Sequence, residues 1–278
     1  MIANARMYSV SPVVAQLWRS LLAAVIETAG VPVTLVEHAP PAPMEQLWGR
    51  PDQAAVFMCG LPFSRAEPQP LLVAAPVPAA EAYADMPQYW SELVVRADSP
   101  YRSVTDTFGA RIAFTVPESQ SGYAAALGYF TTLPHPLPAF SAIVAPTITP
   151  LGALTAVIRG DADVAPVDSY AFELLRRFEP ALTSQVRIIG RTPPTPIPIL
   201  VASRGEFAAH GGVQTLQSAF LEAHKKASIK ALMDELLLRR FAAPDAAAYA
   251  ILRERREAAM RYWHSHPLAA VTHPTFAP

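Results

Sequence analysis

The residues best suited to chemistry lie in the stretch "TVPESQSGYAAALGYF", Thr115 to Phe130. An apolar run, "RIAF", leads into a proline, an acid, two serines and a glycine, and then into an alanine-rich helical pattern. A strand that turns into a helix leaves the amides of the first helical turn without carbonyl partners, and the helix dipole adds partial positive charge there. Such an end takes up anions. Ser119 and Ser121 can add hydroxyl donors on either side of Gln120, and Gly122 lets a ligand come close to the backbone. The simpler chemistry is a cap, in which the hydroxyl of Ser119 or Ser121 satisfies one orphan amide, worth about 1 kcal/mol.

Other reactive groups are scattered. Cys59 is the one cysteine, so the chain forms no internal disulfide and no cysteine cluster for a metal; it reads as a small buried apolar residue. His264 and His266 alternate, but nothing nearby supplies the further ligands that a metal site needs. His135 lies among prolines in a loop, and Asp161 and Asp163 fall in a helix-to-strand turn. Asp168 precedes the helical pattern "SYAFELLRRF" as an N-cap. The chain has no G-x-S-x-G elbow, phosphate loop or H-E-x-x-H helix. No catalytic residue, cofactor or metal is expected.

Hydrophobic residues make up 51% of the 278 and charged residues 16%, which excludes a disordered chain. A net charge of -1 implies no basic face, so no nucleic-acid partner is expected. The cluster "RERREAAMR", Arg253 to Arg261, interleaves arginine with Glu254 and Glu257 and reads as a solvated helix face. No window is long and apolar enough for a transmembrane helix. The N-terminal residues lack a charged start, an apolar core and a small-residue cleavage site, so the chain is read as cytoplasmic or as numbered from a processed form.

These groups must be positioned by short β-like runs that alternate with helical patterns. "ARMYSV" reads as a first strand, followed by a helix with Ser11 as N-cap, Pro12 at its first position and Gly30 past its end. "VPVTLVE", a short helix at Met44–Trp48 and "AAVFMC" continue a β-α-β-α-β order that predicts a parallel sheet. Strands are expected at "QPLLVAAPV", "SELVVRA", "RIAFTV", "AIVAPTI", "ADVAPV", "QVRIIG" and "PIPILVA", with helices between. From Gly212 to His264 the pattern is helical, broken near Ser228 and Pro244, and the last residues read as an irregular tail. The alternation predicts two α/β units of roughly one hundred residues each and a helical end.

The segment Gln88–Ala125, "QYWSELVVRADSPYRSVTDTFGARIAFTVPESQSGYAA", resembles the central signature of phosphonate-type substrate-binding proteins of ABC transporters. "GDADVAPVDSYAFELL" resembles a later segment of that family. "CGLP", Cys59 to Pro62, and the "MY" of Met7 and Tyr8 resemble a branch that often lacks a signal sequence. The resemblance spans about residues 5 to 205. It implies the type 2 periplasmic-binding-protein fold: two α/β lobes joined by two crossover strands, with the ligand cleft between them. Residues 1–88 plus 191–278 would form the first lobe and 89–190 the second. It implies that Ser119, Gln120 and Ser121 donate to an anionic head group and that Gly122 permits its approach. It also implies that Tyr89, Tyr8 and Asp168 face the ligand; of the four tryptophans, Trp90, adjacent to Tyr89, is the one expected to reach the cleft.

Two positions depart from the family pattern. Pro150 stands where the family carries a histidine, and Ile197 where some phosphonate binders carry an acid. Proline has no donor. The expectation is therefore a non-catalytic, monomeric solute-binding protein that captures a small anion, phosphonate-like or a carboxylate with an apolar body, for an ABC permease. The resemblance implies a periplasmic location, against the cytoplasmic reading of the N-terminus. The alternatives are a cytoplasmic metabolite sensor and an enzyme resembling those that make the thiamine pyrimidine.

Overall fold

The computed structural model describes residues 1–271, and its secondary structure is mixed α/β. The chain forms two compact units. Unit 1 comprises Met1–Gln88 and Pro196–Ala250; unit 2 comprises Tyr89–Thr195 and Ile251 onward. The chain therefore passes from one unit to the other at three places, the third inside a helix.

Unit 1 is built on a six-stranded sheet in the order Leu238–Ala242, Leu71–Pro78, Ile199–Ala202, Gln53–Met58, Ile2–Asn4, Thr34–Leu35. The last three run parallel, as the β-α-β-α-β order requires. Ile199–Ala202 lies antiparallel to both neighbours and Leu238–Ala242 antiparallel to Leu71–Pro78, so the sheet is mixed rather than parallel. The helix Pro12–Ala29 has the expected ends: Ser11 Oγ accepts from Val14 N at 3.4 Å, and Gly30 closes it at φ 65°. Val14, Trp18, Leu21, Leu22 and Val25 form its buried stripe at helical spacing. "ARMYSV" is not a strand. The strand is Ile2–Asn4, and Arg6–Tyr8 is a single tight 3₁₀ turn.

Unit 2 carries a six-stranded sheet in the order Val186–Arg191, Ser91–Arg96, Val164–Asp168, Arg111–Ala113, Phe140–Val144, Ala269–Val271. Its last four members run parallel and the first two pairings are antiparallel. Its core gathers Phe114, Tyr123, Leu127, Phe130, Phe140 and Trp263.

The C-terminal residues belong elsewhere than expected. The helix Ala246–Ser265 falls in the stretch read as helical, and the strand Ala269–Val271 stands where an irregular tail was expected; residues 272–278 lie outside the described residues. From Ile251 on, the chain joins unit 2, not the first lobe, because its strand pairs with Phe140–Val144 and Trp263 Nε1 donates to Leu127 O at 3.0 Å. Residues 191–195 also join unit 2, where Thr192 Oγ1 accepts from Ser91 N at 2.9 Å. Leu238–Ala242, read as helix, is a strand because its edge pairing with Leu71–Pro78 overrides the helical look of "ELLLRRFAA".

Candidate functional site

The strand Arg111–Ala113 feeds the serine-rich turn. Ser119 keeps an extended backbone (φ -72°, ψ 129°) and its Oγ accepts from Gly122 N at 2.9 Å. The hydroxyl proton of Ser119 thus stays available as a donor. From Gln120 to Ala124 the backbone winds as a π turn, with Ala124 N donating to Ser119 O at 3.0 Å, before tightening to the α-helix Ala125–Phe130. A π turn widens the helix and recurs at functional sites. Gln120, Ser121, Gly122 and Tyr123 are all buried.

Gly122 has a reason that the sequence did not reveal. A Cβ there would fall on Thr115 Oγ1 and lie 2.8 Å from Thr115 Cγ2. The glycine admits the Thr115 side chain rather than open space. Thr115 Oγ1 is buried and has no hydrogen-bond partner among the described residues. Nothing in the local pattern singled out Thr115, because its role depends on the chain folding back upon it.

Three further elements meet the turn. Ser91 Oγ, on the strand Ser91–Arg96, donates to Ser121 O at 2.7 Å. Ser121 Oγ lies 3.5 Å from Asp168 Oδ2. Asp168 ends the strand Val164–Asp168 and caps the helix Ser169–Phe178, its Oδ1 accepting from Ala171 N at 2.9 Å. Trp90 N donates to Ser169 Oγ at 3.2 Å. Burial pushes the Asp168 carboxyl up to about 7, against the pull of the Ala171 and Tyr170 amides and the Ser121 hydroxyl; Glu173 pushes the same way. A carboxyl of that kind is half-protonated near neutrality, so the turn need not face a full negative charge.

The sequence candidates therefore fall into groups. Ser119–Gly122 and Asp168 converge within unit 2, and Ser91 and Thr115 join them; Trp90 is linked to this group through its backbone N–H to Ser169 Oγ. The Trp90 indole N–H donates to Glu92 Oε1 at 2.8 Å, and Arg191 lies 5.4 Å over the ring. Burial raises the Glu92 carboxyl; the Trp90 hydrogen bond and Arg191 oppose that shift. Tyr89 is fully buried at the start of unit 2. Tyr8 belongs to the core of unit 1, stacked on Trp18 at 6.2 Å and edge-on to Phe57 at 5.3 Å.

The two departures also have places. Pro150 opens the helix Pro150–Arg159 behind the cap of Thr149, and Ile197 is fully buried in unit 1, its N–H donating to Pro87 O at 3.1 Å. No group of three or more His, Cys, Asp or Glu side chains suited to a metal occurs among the described residues. No helix among them is long and apolar enough to cross a membrane.

No functionally curated protein matches the chain. Solved structures do resemble it. A binding protein component of an ABC phosphonate transporter from Pseudomonas aeruginosa superposes with a TM-score of 0.77 at 20% identity, covering 95% of this chain and 88% of that one. PhnD1 of Prochlorococcus marinus, solved with methylphosphonate, gives 0.74 at 15% identity over 92% and 96%. The arginine-, lysine-, histidine-binding protein ArtJ of Geobacillus stearothermophilus gives 0.55 at 14% identity over 84% and 97%. At such identities the likeness establishes the fold, the type 2 periplasmic-binding-protein architecture. The sensor and enzyme alternatives are not favoured. The sequence profile of one family matches residues 8–249, most of the chain, and the protein belongs to that family: the periplasmic substrate-binding proteins of ABC phosphonate transporters.

Proposed function

We propose that the protein binds a small anion at the Ser119–Gly122 turn, without catalysis and as a monomer, and hands it to an ABC permease on the periplasmic side. The observation that carries this reading is the buried π turn itself. Ser119 caps it, Ser121 lies beside Asp168 and is tied to Ser91, and the helix dipole points its positive end there. Family membership supports the solute-binding role, and PhnD1 is a relative in fold whose ligand is a phosphonate.

The ligand class follows from the two departures from the family pattern. Pro150 brings no amide proton to its helix start and Ile197 brings no charge, where the resemblance places a histidine and an acid. Both favour a monoanion, such as a carboxylate with an apolar body, over a doubly charged phosphonate. The half-protonated Asp168 favours the same choice, since a monoanion needs fewer compensating donors.

A thermal-shift panel of methylphosphonate, inorganic phosphate, acetate, benzoate and phenylacetate tests the reading. A ligand that binds only the folded chain at a hundredfold its Kd adds about 2.7 kcal/mol. We expect at least one anion to raise the melting temperature, with a carboxylate above phosphate. A panel in which no anion moves it overturns the reading.

A further inference from the structure

The strand Val186–Arg191 is an outer member of the unit 2 sheet and pairs there with Ser91–Arg96 alone. Its backbone groups therefore divide into two sets. In an antiparallel ladder every second residue turns its N–H and C=O to the partner, and the residues between turn theirs away. Ala97 N donates to Gln185 O at 2.8 Å, and the register sets Val186 opposite Arg96, Arg187 opposite Val95 and Ile188 opposite Val94. Gln185 and Arg187 thus face the partner strand, whereas Val186 and Ile188 turn their backbone donors and acceptors to the open edge. Such an edge is a template for a further strand.

A pocket of about 380 Å³ lies on that edge, and Val186, Ile188, Phe172 and Pro180 form its apolar wall. Phe172 comes from the helix Ser169–Phe178, and Pro180 opens the short helix Pro180–Thr183. The two residues whose backbone points outward are thus also residues of the pocket wall. Neither Asp168 nor any of Ser119–Gly122 lines it, so it is separate from the serine-rich turn.

The charged residues at the pocket are Arg176 and Arg187, and no carboxylate lines it among the described residues. Arg187 is held in place: its Nη1 donates to Ala97 O at 2.6 Å and its Nη2 to Ser99 O at 2.9 Å. Asp98 feels the charge of Arg187, and Glu92 that of Arg176. Each of those acids already has an arginine of its own, Arg96 Nε on Asp98 at 2.9 Å and Arg191 Nε on Glu92 at 3.2 Å. Glu173 and Glu179 flank Arg176 in the chain, and neither forms an ion pair with it among the described residues. The edge therefore suits an acidic occupant better than a basic one.

We infer that this edge of unit 2 docks an extended acidic peptide segment of a partner protein. The segment adds a strand beside Val186–Ile188, sets an apolar side chain against Phe172 and Pro180, and brings carboxylates to Arg187 and Arg176. Backbone pairing fixes its register, and the pocket selects the side chain at every second position, since successive side chains of a strand point to opposite faces. The inference goes beyond the anion-binding reading and does not depend on it.

Fluorescence anisotropy of the full chain with short labelled peptides tests it. One probe alternates glutamate and leucine, and a second carries lysine in place of glutamate. Two further forms of the first are N-methylated at the leucines or at the glutamates. The glutamate peptide should bind at least about tenfold more tightly than the lysine peptide. Only one alternate set of its amides can face the protein, so one N-methylated form should lose at least about tenfold and the other stay within about threefold. Both forms keep every side chain and leave the protein unaltered. Ile188→Pro should lose at least about tenfold at an unchanged melting temperature, because an edge strand tolerates proline where its N–H points outward. Arg176→Glu should weaken the glutamate peptide by at least about threefold. N-methylated forms that both bind like their parent overturn the strand, and equal binding of the lysine and glutamate peptides overturns the acidic partner. A wild-type chain that binds neither peptide overturns the inference whole and leaves the anion-binding reading standing.

Discussion

Two helices of unit 2 start with the same device. Ser119 Oγ accepts from Gly122 N at 2.9 Å, and Thr149 Oγ1 accepts from Gly152 N at 3.0 Å. Both glycines lack room for a Cβ. At Gly122 the obstacle is the Thr115 side chain; at Gly152 it is the backbone carbonyl of Thr147. The residue after the cap differs more. Gln120 has an amide proton and begins a wide π turn whose residues are buried, whereas Pro150 has none and begins an ordinary α-helix whose first residues are half-buried. An identical cap therefore does not make an identical site. The number of free amide donors at a helix start depends on the residue next to the cap, and a proline there removes one of them.

The comparison can be broken by substitution. Gly152→Ala should have the largest effect, roughly 3 kcal/mol in urea unfolding, because a backbone carbonyl cannot step aside. Gly122→Ala should cost about 2 kcal/mol and recover about half of it when combined with Thr115→Ala, since its obstacle is a side chain. Equal costs with no recovery would mean that the two turns are held alike.

A pH effect is confined to the serine-rich turn. Asp168 has a folded pKa of about 7 against an ordinary 3.8. Between those values the folded state holds a proton that the unfolded state has released, so stability falls as pH rises from about 4 to about 7 and levels off above. Asp168→Asn keeps a carbonyl oxygen for the Ala171 amide and removes the titration. We expect its melting temperature to decline less than that of the wild type across this window. Parallel profiles would remove Asp168 from the account.

Smaller effects separate binding from folding. Ser119→Ala with Ser121→Ala should weaken an anion found in the thermal-shift panel by at least about tenfold, close to 1.4 kcal/mol. Thr149→Ala should lower stability by about 1 kcal/mol and leave affinity within about twofold, a difference of about 0.4 kcal/mol. Calorimetry that shows equal losses from both would end the distinction between a binding turn and a capping turn.

Local signals in the chain carry much of the fold. The helix Pro12–Ala29 announces itself through Ser11, Pro12 and Gly30 because capping, ring constraint and positive φ act within a few residues of chain. Ser119 and Asp168 are readable as caps for the same reason. Leu238–Ala242 is not readable as a strand, since its partner Leu71–Pro78 is far off in sequence. Tyr8, assigned toward a ligand by resemblance, sits in an aromatic core whose members Trp18 and Phe57 come from two other elements.

The sequence alone determined the alternation of strands and helices, the places where helices begin and end, and the serine-rich start that marks the family. These are short-range matters, settled by backbone sterics and by hydrogen bonds between near neighbours. Only the tertiary structure decided that the C-terminal helix and strand complete unit 2, that Gly122 makes way for Thr115, and that Ser91 and Asp168 gather around one turn. Those outcomes depend on which distant surfaces bury each other's apolar area and pair each other's edges, and no local pattern records them.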